Sequence, residues 1–259
     1  YFKKSIELKS TYGMWLYAKC LLNSDDIESK KEAIKYIKIL IEHNNKEAML
    51  MYAQLLFIGK VIPMNLKEAA YYFKKSADLG CSEAMTLYAL MLYNGQGIQI
   101  NENESFKYFK KAIELDDNLG LYKYSEILIE SRVAEKQKEA IKYIRRIISK
   151  GNAFEFIENS TIYVFFHKDP YEIYSKTLAL YGKMLYSGIL VPKDKVKAIE
   201  YLKKSIELNN NDSIYLYAKI LFKNDDDESI NKAVEYLILL ISRGYKKAEK
   251  FVLKYFLKF

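Results

Sequence analysis

A tyrosine recurs down this chain at a nearly constant interval, and that interval constrains the fold more than any other property of the sequence. With the tyrosine of Tyr72-Phe-Lys-Lys75 as position zero, the same place falls on Tyr1, Tyr36, Tyr72, Tyr108, Tyr143, Tyr201 and Tyr236, at spacings of 35, 36, 36, 35, 58 and 35 residues. Self-similarity at such a period means stacked helix pairs, each unable to bury its apolar face alone and stabilised by its neighbours. The one long interval holds an irregular stretch at about 152–173.

Further columns keep the register. Sixteen residues after zero stand Tyr17, Tyr52, Tyr88, Tyr124 and Tyr217, with Tyr181 rejoining the pattern in the long unit, and each is followed by a small residue, Ala18, Ala53, Ala89, Ser125, Ala218 or Gly182. Three before zero come Ala33, Ala69, Ser105, Ala140, Ala198 and Ala233; twelve after zero come Gly13, Ala48, Ala84, Gly120, Thr177, Ser213 and Ala248. Small residues in fixed columns let neighbouring helices approach closely, and large ones between them fill a dense interior.

The helix ends are marked as regularly. Seven before zero, Ser29, Asn65, Asn101, Asp194 and Ser229 are good N-caps, with Lys136 the exception. Eight after zero, Asn44, Gly80, Gly151, Asn209 and Gly244 tolerate the left-handed conformation that closes a helix, while Lys9 and Asp116 depart from the column. The pattern predicts helices over 12–22, 30–41, 46–57, 66–79, 82–93, 102–115, 119–129, 136–149, 176–186, 195–208, 213–222, 230–243 and 246–258. Each helix bearing a zero tyrosine is expected to pair with the helix that follows it.

One unit carries the landmarks together: Ala69, Tyr72, Phe73, Lys75, Ala77, Gly80, Ala84, Tyr88, Ala89, Tyr93, Gly95, Gly97 and Ile98. In these residues the chain resembles the Sel1-like repeat family, a relative of the tetratricopeptide repeat. The likeness spans nearly the whole chain, although only this unit keeps both Gly95 and Gly97; Gly59 and Gly188 stand alone in theirs. The resemblance implies an all-α, right-handed α-solenoid (superhelix) of about six to seven helix pairs, and a non-catalytic scaffold or adaptor for another protein. The whole of 1–259 is expected to form a single solenoid, and a chain starting inside a helix at Tyr1 reads as a fragment of a longer protein.

Composition agrees with a helical, well-packed chain: half its residues are hydrophobic, with 24 Tyr against 3 Pro and 10 Gly. A net charge of +8 suits an acidic protein surface, nucleic acid or an anionic membrane without choosing among them. No apolar run reaches membrane-spanning length, and residues 236–241 read as the buried side of a helix. Cys20 and Cys81 fall in different columns and are expected to be free, buried thiols rather than a disulfide framework, which favours a cytoplasmic setting. Three glycosylation sequons, at Asn103, Asn159 and Asn211, leave a secretory or endoplasmic-reticulum lumen open.

Catalytic and metal chemistry find little footing. His43 and His167 stand in unrelated contexts, no nucleophile has a recognisable base, and Gly95-x-Gly97 follows a helix rather than a strand, so it is a turn and not a dinucleotide loop. No enzyme and no cofactor are expected. The patterned charge feature is position +2, held by Lys3, Lys38, Lys74, Lys110, Arg145 and Lys203 before failing at Ile238. Two readings fit it. These are solvated cations near helix C-termini that complement the dipole, or a basic ladder for a peptide-like, acidic segment of a partner. In tetratricopeptide-type solenoids the first helix of each pair lines the concave groove, and by that resemblance the ladder would line it. The stretch at 152–173, with Phe154, Phe156, Phe165 and Phe166, is either a spacer burying its own aromatics or a partner-binding projection. Other functions in view are an RNA-binding array, since pentatricopeptide repeats share the period, and the regulatory repeats of a larger signalling enzyme such as a kinase.

Overall fold

The computed structural model of the chain describes residues 10–131, 133–151, 171–224 and 226–256. Among the described residues there are thirteen helices and no strand. They are α1 (Thr11–Leu22), α2 (Ile27–Glu42), α3 (Lys46–Ile58), α4 (Leu66–Asp78), α5 (Ser82–Asn94), α6 (Glu102–Glu114) and α7 (Asn118–Glu130), then α8 (Ala134–Lys150), α9 (Glu172–Ser187), α10 (Lys195–Glu207), α11 (Asn211–Leu221), α12 (Asp227–Ser242) and α13 (Lys246–Phe256). The fold is all-α and repeating. It groups into two compact units, Tyr1–Tyr124 and Ser125–Phe259, divided inside α7.

In the first unit two kinds of connection alternate. The short ones turn through a left-handed residue, Asn44 at φ 54°, Gly80 at 84° and Asp116 at 63°. The next N–H then returns to the helix just ended: Asn45 to the Leu40 carbonyl, Cys81 to Ser76 and Asp117 to Ala112, at 3.0 to 3.1 Å. Asp116 thus keeps the conformation its column requires despite its departure in residue type, since aspartate is one of the few non-glycine residues that visit this region readily.

The long connections, from α3 to α4 and from α5 to α6, leave their helices at Gly59 and Gly95, both left-handed. Each then anchors on an asparagine. Asn65 donates its N–H to the Leu56 carbonyl (2.9 Å), and its side chain accepts from the Glu68 N–H; Asn101 does the same with Leu92 (3.0 Å) and Glu104. Their amide groups also donate to the Glu68 and Glu104 carboxylates at 3.0 and 3.1 Å, which ties the cap side chain to the third residue of the helix. Gly97, at φ 73°, lies against the start of α4: a Cβ there would stand 2.4 Å from the Leu66 carbonyl carbon and oxygen. No other residue fits that approach.

The small columns are the floor of the core. Ala33, Ala69, Ser105, Ala48, Ala84, Ala18, Ala53 and Ala89 all have 0% exposure. Over them the two tyrosine columns meet edge to face, Tyr17 with Tyr36, Tyr52 with Tyr72 and Tyr88 with Tyr108, at centroid distances of 5.4, 5.1 and 4.9 Å. Tyr124 instead stacks on Phe109 at 5.2 Å.

The pairing differs from expectation by half a repeat. α1 packs most extensively on α2, α3 on α4 and α5 on α6, the last two across the long connections. A period defines an interval but not its origin, and the tight left-handed closures imitate a hairpin turn. Two caps also move. α2 and α12 begin at Ile27 and Asp227, capped by Asp26 and Asp226, each of which accepts the N–H of Ser29 or Ser229 at 2.8 Å. Those serines are third-position residues, and Ser29 adds its own hydroxyl to the Asp26 carboxylate.

The second unit repeats the plan. α8 has no side-chain cap; Gln137 instead donates to the carbonyls of Ile129 and Ser131, closing α7. The α9–α10 connection copies the long type, with Gly188 left-handed and Asp194 donating to the Leu185 carbonyl while capping α10 through the Lys197 N–H. Ala140, Ala198, Ala233, Ala218 and Ala248 have 0% exposure, and Tyr181–Tyr201 and Tyr217–Tyr236 restate the aromatic pair at 5.3 and 6.0 Å. A buried serine bond recurs in both units, Ser76 to the Lys46 carbonyl and Ser205 to the Ser175 carbonyl, each 2.7 Å. Residues 236–241 are only half as read: Leu237 and Leu240 are buried, but Ile238 is 61% exposed. No helix among the described residues is long and apolar enough to cross a membrane.

Candidate interaction surface

The surface features that recur lie on the helices carrying the zero tyrosine, namely α2, α4 and α6 in the first unit and α8, α10 and α12 in the second. Of the predicted ladder, Lys38, Lys74, Lys110, Arg145 and Lys203 are exposed. Lys3, Phe154, Phe156, Phe165 and Phe166 lie outside the described residues, as does most of the irregular stretch.

Three cations of this column stand beside a tyrosine of the helix that follows. Lys38 Nζ stands 5.9 Å from the centre of the Tyr52 ring, and Lys203 Nζ is at the same distance from the Tyr217 ring. Arg145 donates from Nε to the Tyr181 hydroxyl at 3.2 Å. Lys38, Arg145 and Lys203 each edge a notch whose floor is an aromatic pair, Tyr52–Tyr72, Tyr181–Tyr201 and Tyr217–Tyr236.

Lys74 differs. It pairs with Asp78 one turn on, at 2.8 Å, and Asp78 also accepts the Tyr108 hydroxyl at 3.0 Å. Burial opposes ionisation of Asp78, but the hydrogen bonds from Lys74 and Tyr108 outweigh it and hold the carboxyl below its usual range. Burial, seconded by the bond to Asp78, pushes the Tyr108 hydroxyl up to about 12. This rung is already satisfied from within.

Open depressions lie on two equivalent helices of the first unit. One, on α6, is walled by Glu104, Lys107, Tyr108, Lys110 and Lys111; the other, on α2, by Asp26, Glu32, Lys35, Tyr36 and Ile39. Sequence reasoning found the +2 column but missed a second one four residues before zero. There Glu32, Glu68, Glu104 and Glu139 are followed by Lys197 and Lys232, a pattern visible in the alignment of the repeats. The cysteines are free, but neither is buried: Cys20 is exposed and Cys81 half-buried. Trp15, half-buried, stacks on exposed Tyr12 at 6.2 Å and lies under Lys19.

Comparison with known proteins places these features in a family. The sequence model described as Sel1 repeat matches residues 11–45, 46–81, 82–117 and 175–210, together more than half of the chain. Each matched unit opens with α1, α3, α5 or α9, in agreement with the observed pairing, so the ladder helices are the second of each unit. The expectation that the ladder lines a concave groove had taken these helices for the first of each pair.

Among solved structures, the chain is similar to a Sel1 repeat protein from Oxalobacter formigenes, at 19% identity and TM-score 0.68 over 90% of this chain and 84% of that one. It is also similar to a protective antigen of uropathogenic Escherichia coli displaying an SLR fold, at 17% identity and TM-score 0.58, covering 98% of this chain and 58% of that one. These likenesses concern the fold. A comparison of the sequence with curated proteins gave no match. Repeats matched over more than half the length, in the phase at which the helices pair, lead to one conclusion: the chain belongs to the Sel1 repeat family.

Proposed function

We propose that this chain is an adaptor that docks a segment of another protein along the notches between its second helices. Sel1 repeats are in general protein-interaction repeats, typically in non-catalytic scaffolds. The observation that carries the finer reading is the repeated placement of one exposed cation beside one tyrosine, Lys38 at Tyr52, Arg145 at Tyr181 and Lys203 at Tyr217. Like-charged rims over aromatic floors favour a partner with acidic side chains, whose desolvation by the rings strengthens each charge contact.

The test compares the chain with a variant carrying Lys38→Glu, Arg145→Glu and Lys203→Glu, each used to capture protein from nuclease-treated extract. A captured protein is then reduced to the segment that binds. The expected result is an Asp/Glu-containing segment retained by the unaltered chain and lost from the variant. Equal retention by both forms would remove the notches from the binding surface.

A further inference from the structure

The position four before the tyrosine changes sign along the chain, from an acid throughout the first unit and in α8, where Glu139 accepts the Tyr143 hydroxyl at 2.7 Å, to a lysine in α10 and α12. This residue sits one helical turn back on the tyrosine's own face. In the first unit it is always an acid, and the acid acts on the aromatic pair. Glu32 accepts the Tyr36 hydroxyl at 3.4 Å, and Glu68, after burial, helps raise the Tyr52 and Tyr72 hydroxyls above their usual range. Together with Asp78 at Tyr108, these notches carry an internal anion opposite the +2 cation.

In α10 and α12 the acid is replaced by Lys197 and Lys232. The notch between α10 and α12 therefore has Lys203 on one rim, the Tyr217–Tyr236 pair as floor, and Lys232 on the other rim. Lys232 is exposed and makes no hydrogen bond or ion pair among the described residues. Glu235 stands three residues beyond it, about 100° around the helix from Tyr236, whereas Lys232 is only about 40° away. By helix geometry Lys232 shares the face of Tyr236, one turn back, and Glu235 does not. In the preceding notch Arg145 holds the Tyr181 hydroxyl, but Lys197 is partly compensated by its own cap, Asp194, at 3.4 Å.

We infer that the Lys203–Tyr217–Tyr236–Lys232 notch is the anion-accepting point of this surface and takes a carboxylate side chain from an Asp/Glu-rich partner segment. The partner's carboxylate occupies the place that Glu68 and its equivalents fill from within in the first unit. This rests on the docking reading above and adds where the charge is recognised. Binding is accordingly concentrated in the second unit, and the first unit contributes little electrostatic selectivity.

The experiment is fluorescence anisotropy of a labelled Asp/Glu dodecapeptide titrated with the full chain, with Lys203→Glu/Lys232→Glu and with Lys38→Glu/Lys74→Glu. All four lysines are exposed, and thermal melting confirms that both variants fold. The second-unit variant is expected to bind about tenfold more weakly, and the first-unit variant within about twofold of the unaltered chain. Equal weakening in both, or none in the second-unit variant, overturns the assignment. So does failure of the unaltered chain to bind the peptide, or tighter binding of oligouridine, which would make the ligand a nucleic acid phosphate. If the peptide fails while a partner segment is still captured through the notches, this inference falls and the adaptor reading stands; if both fail, both fall.

Discussion

Replacing Gly97 by alanine tests the close approach of loop to helix on which the repeat stacking depends. Alanine at φ 73° carries a left-handed strain of about 1 kcal/mol. Its Cβ would also meet the Leu66 carbonyl carbon and oxygen at 2.4 Å and the Lys67 nitrogen at 2.7 Å, all of them backbone atoms. Carbon contacts settle near 3.5 Å, so the loop and the first turn of α4 must part by about 1 Å. Overpacking against rigid atoms costs about 1–3 kcal/mol, and disturbing the Asn65 cap beside Leu66 about 1 kcal/mol more. The total is roughly 3–5 kcal/mol. Gly80→Ala is the control, because Gly80 is equally left-handed at φ 84° but its Cβ would meet nothing within 4 Å; it should cost about 1 kcal/mol. Urea unfolding followed by circular dichroism reads both, with slopes compared because repeat arrays need not unfold in one step. If Gly97→Ala is no worse than Gly80→Ala, the loop does not bear on α4 and the stacking account is wrong.

Two further outcomes bear on the caps and the aromatic pair. Asp26→Ala should cost about 1 kcal/mol and Ser29→Ala clearly less, because Asp26 holds the Ser29 N–H at 2.8 Å; the reverse order in thermal melts would restore Ser29 as the cap. Tyr108, whose hydroxyl is pushed to about 12 from 10, stabilises the fold fully below about pH 10 and loses that contribution as the pH rises through about 12, since the unfolded phenol ionises first. Tyr108→Phe should therefore flatten the alkaline arm of the stability profile, and an unchanged arm would place the titration elsewhere.

Much of this fold was legible because the residues that build it have only one use. An alanine that is at 0% exposure in every repeat, as Ala33, Ala69, Ala140, Ala198 and Ala233 are, announces itself as a column. The left-handed Asn44, Gly80 and Asn209 do so through their restricted chemistry. The phase of the helix pairs was hidden, since it depends on which of two connections buries more surface between its helices, and no single residue type records that. The caps at Asp26 and Asp226 were misplaced because a serine in the third position satisfies the same pattern three residues late. The charge reversal at Lys197 and Lys232 was written in the sequence, but its meaning needed the tyrosine pair, which brings together residues about twenty places apart.

Connections of both kinds end in backbone bonds in several repeats. Asn65, Asn101 and Asp194 tie the long loops to Leu56, Leu92 and Leu185, and Asn45, Cys81, Asp117 and Asn210 tie the short turns to the helices they leave. A residue inserted into or deleted from one of these tied connections must break its bond or move the cap of the next helix, as in the shorter connections where Asp26 and Asp226 cap α2 and α12. The repeat interval accordingly varies by only one residue, between 35 and 36, apart from its one departure to 58. For anyone splicing a tag or a binding loop into this protein, these tied turns are the places to avoid.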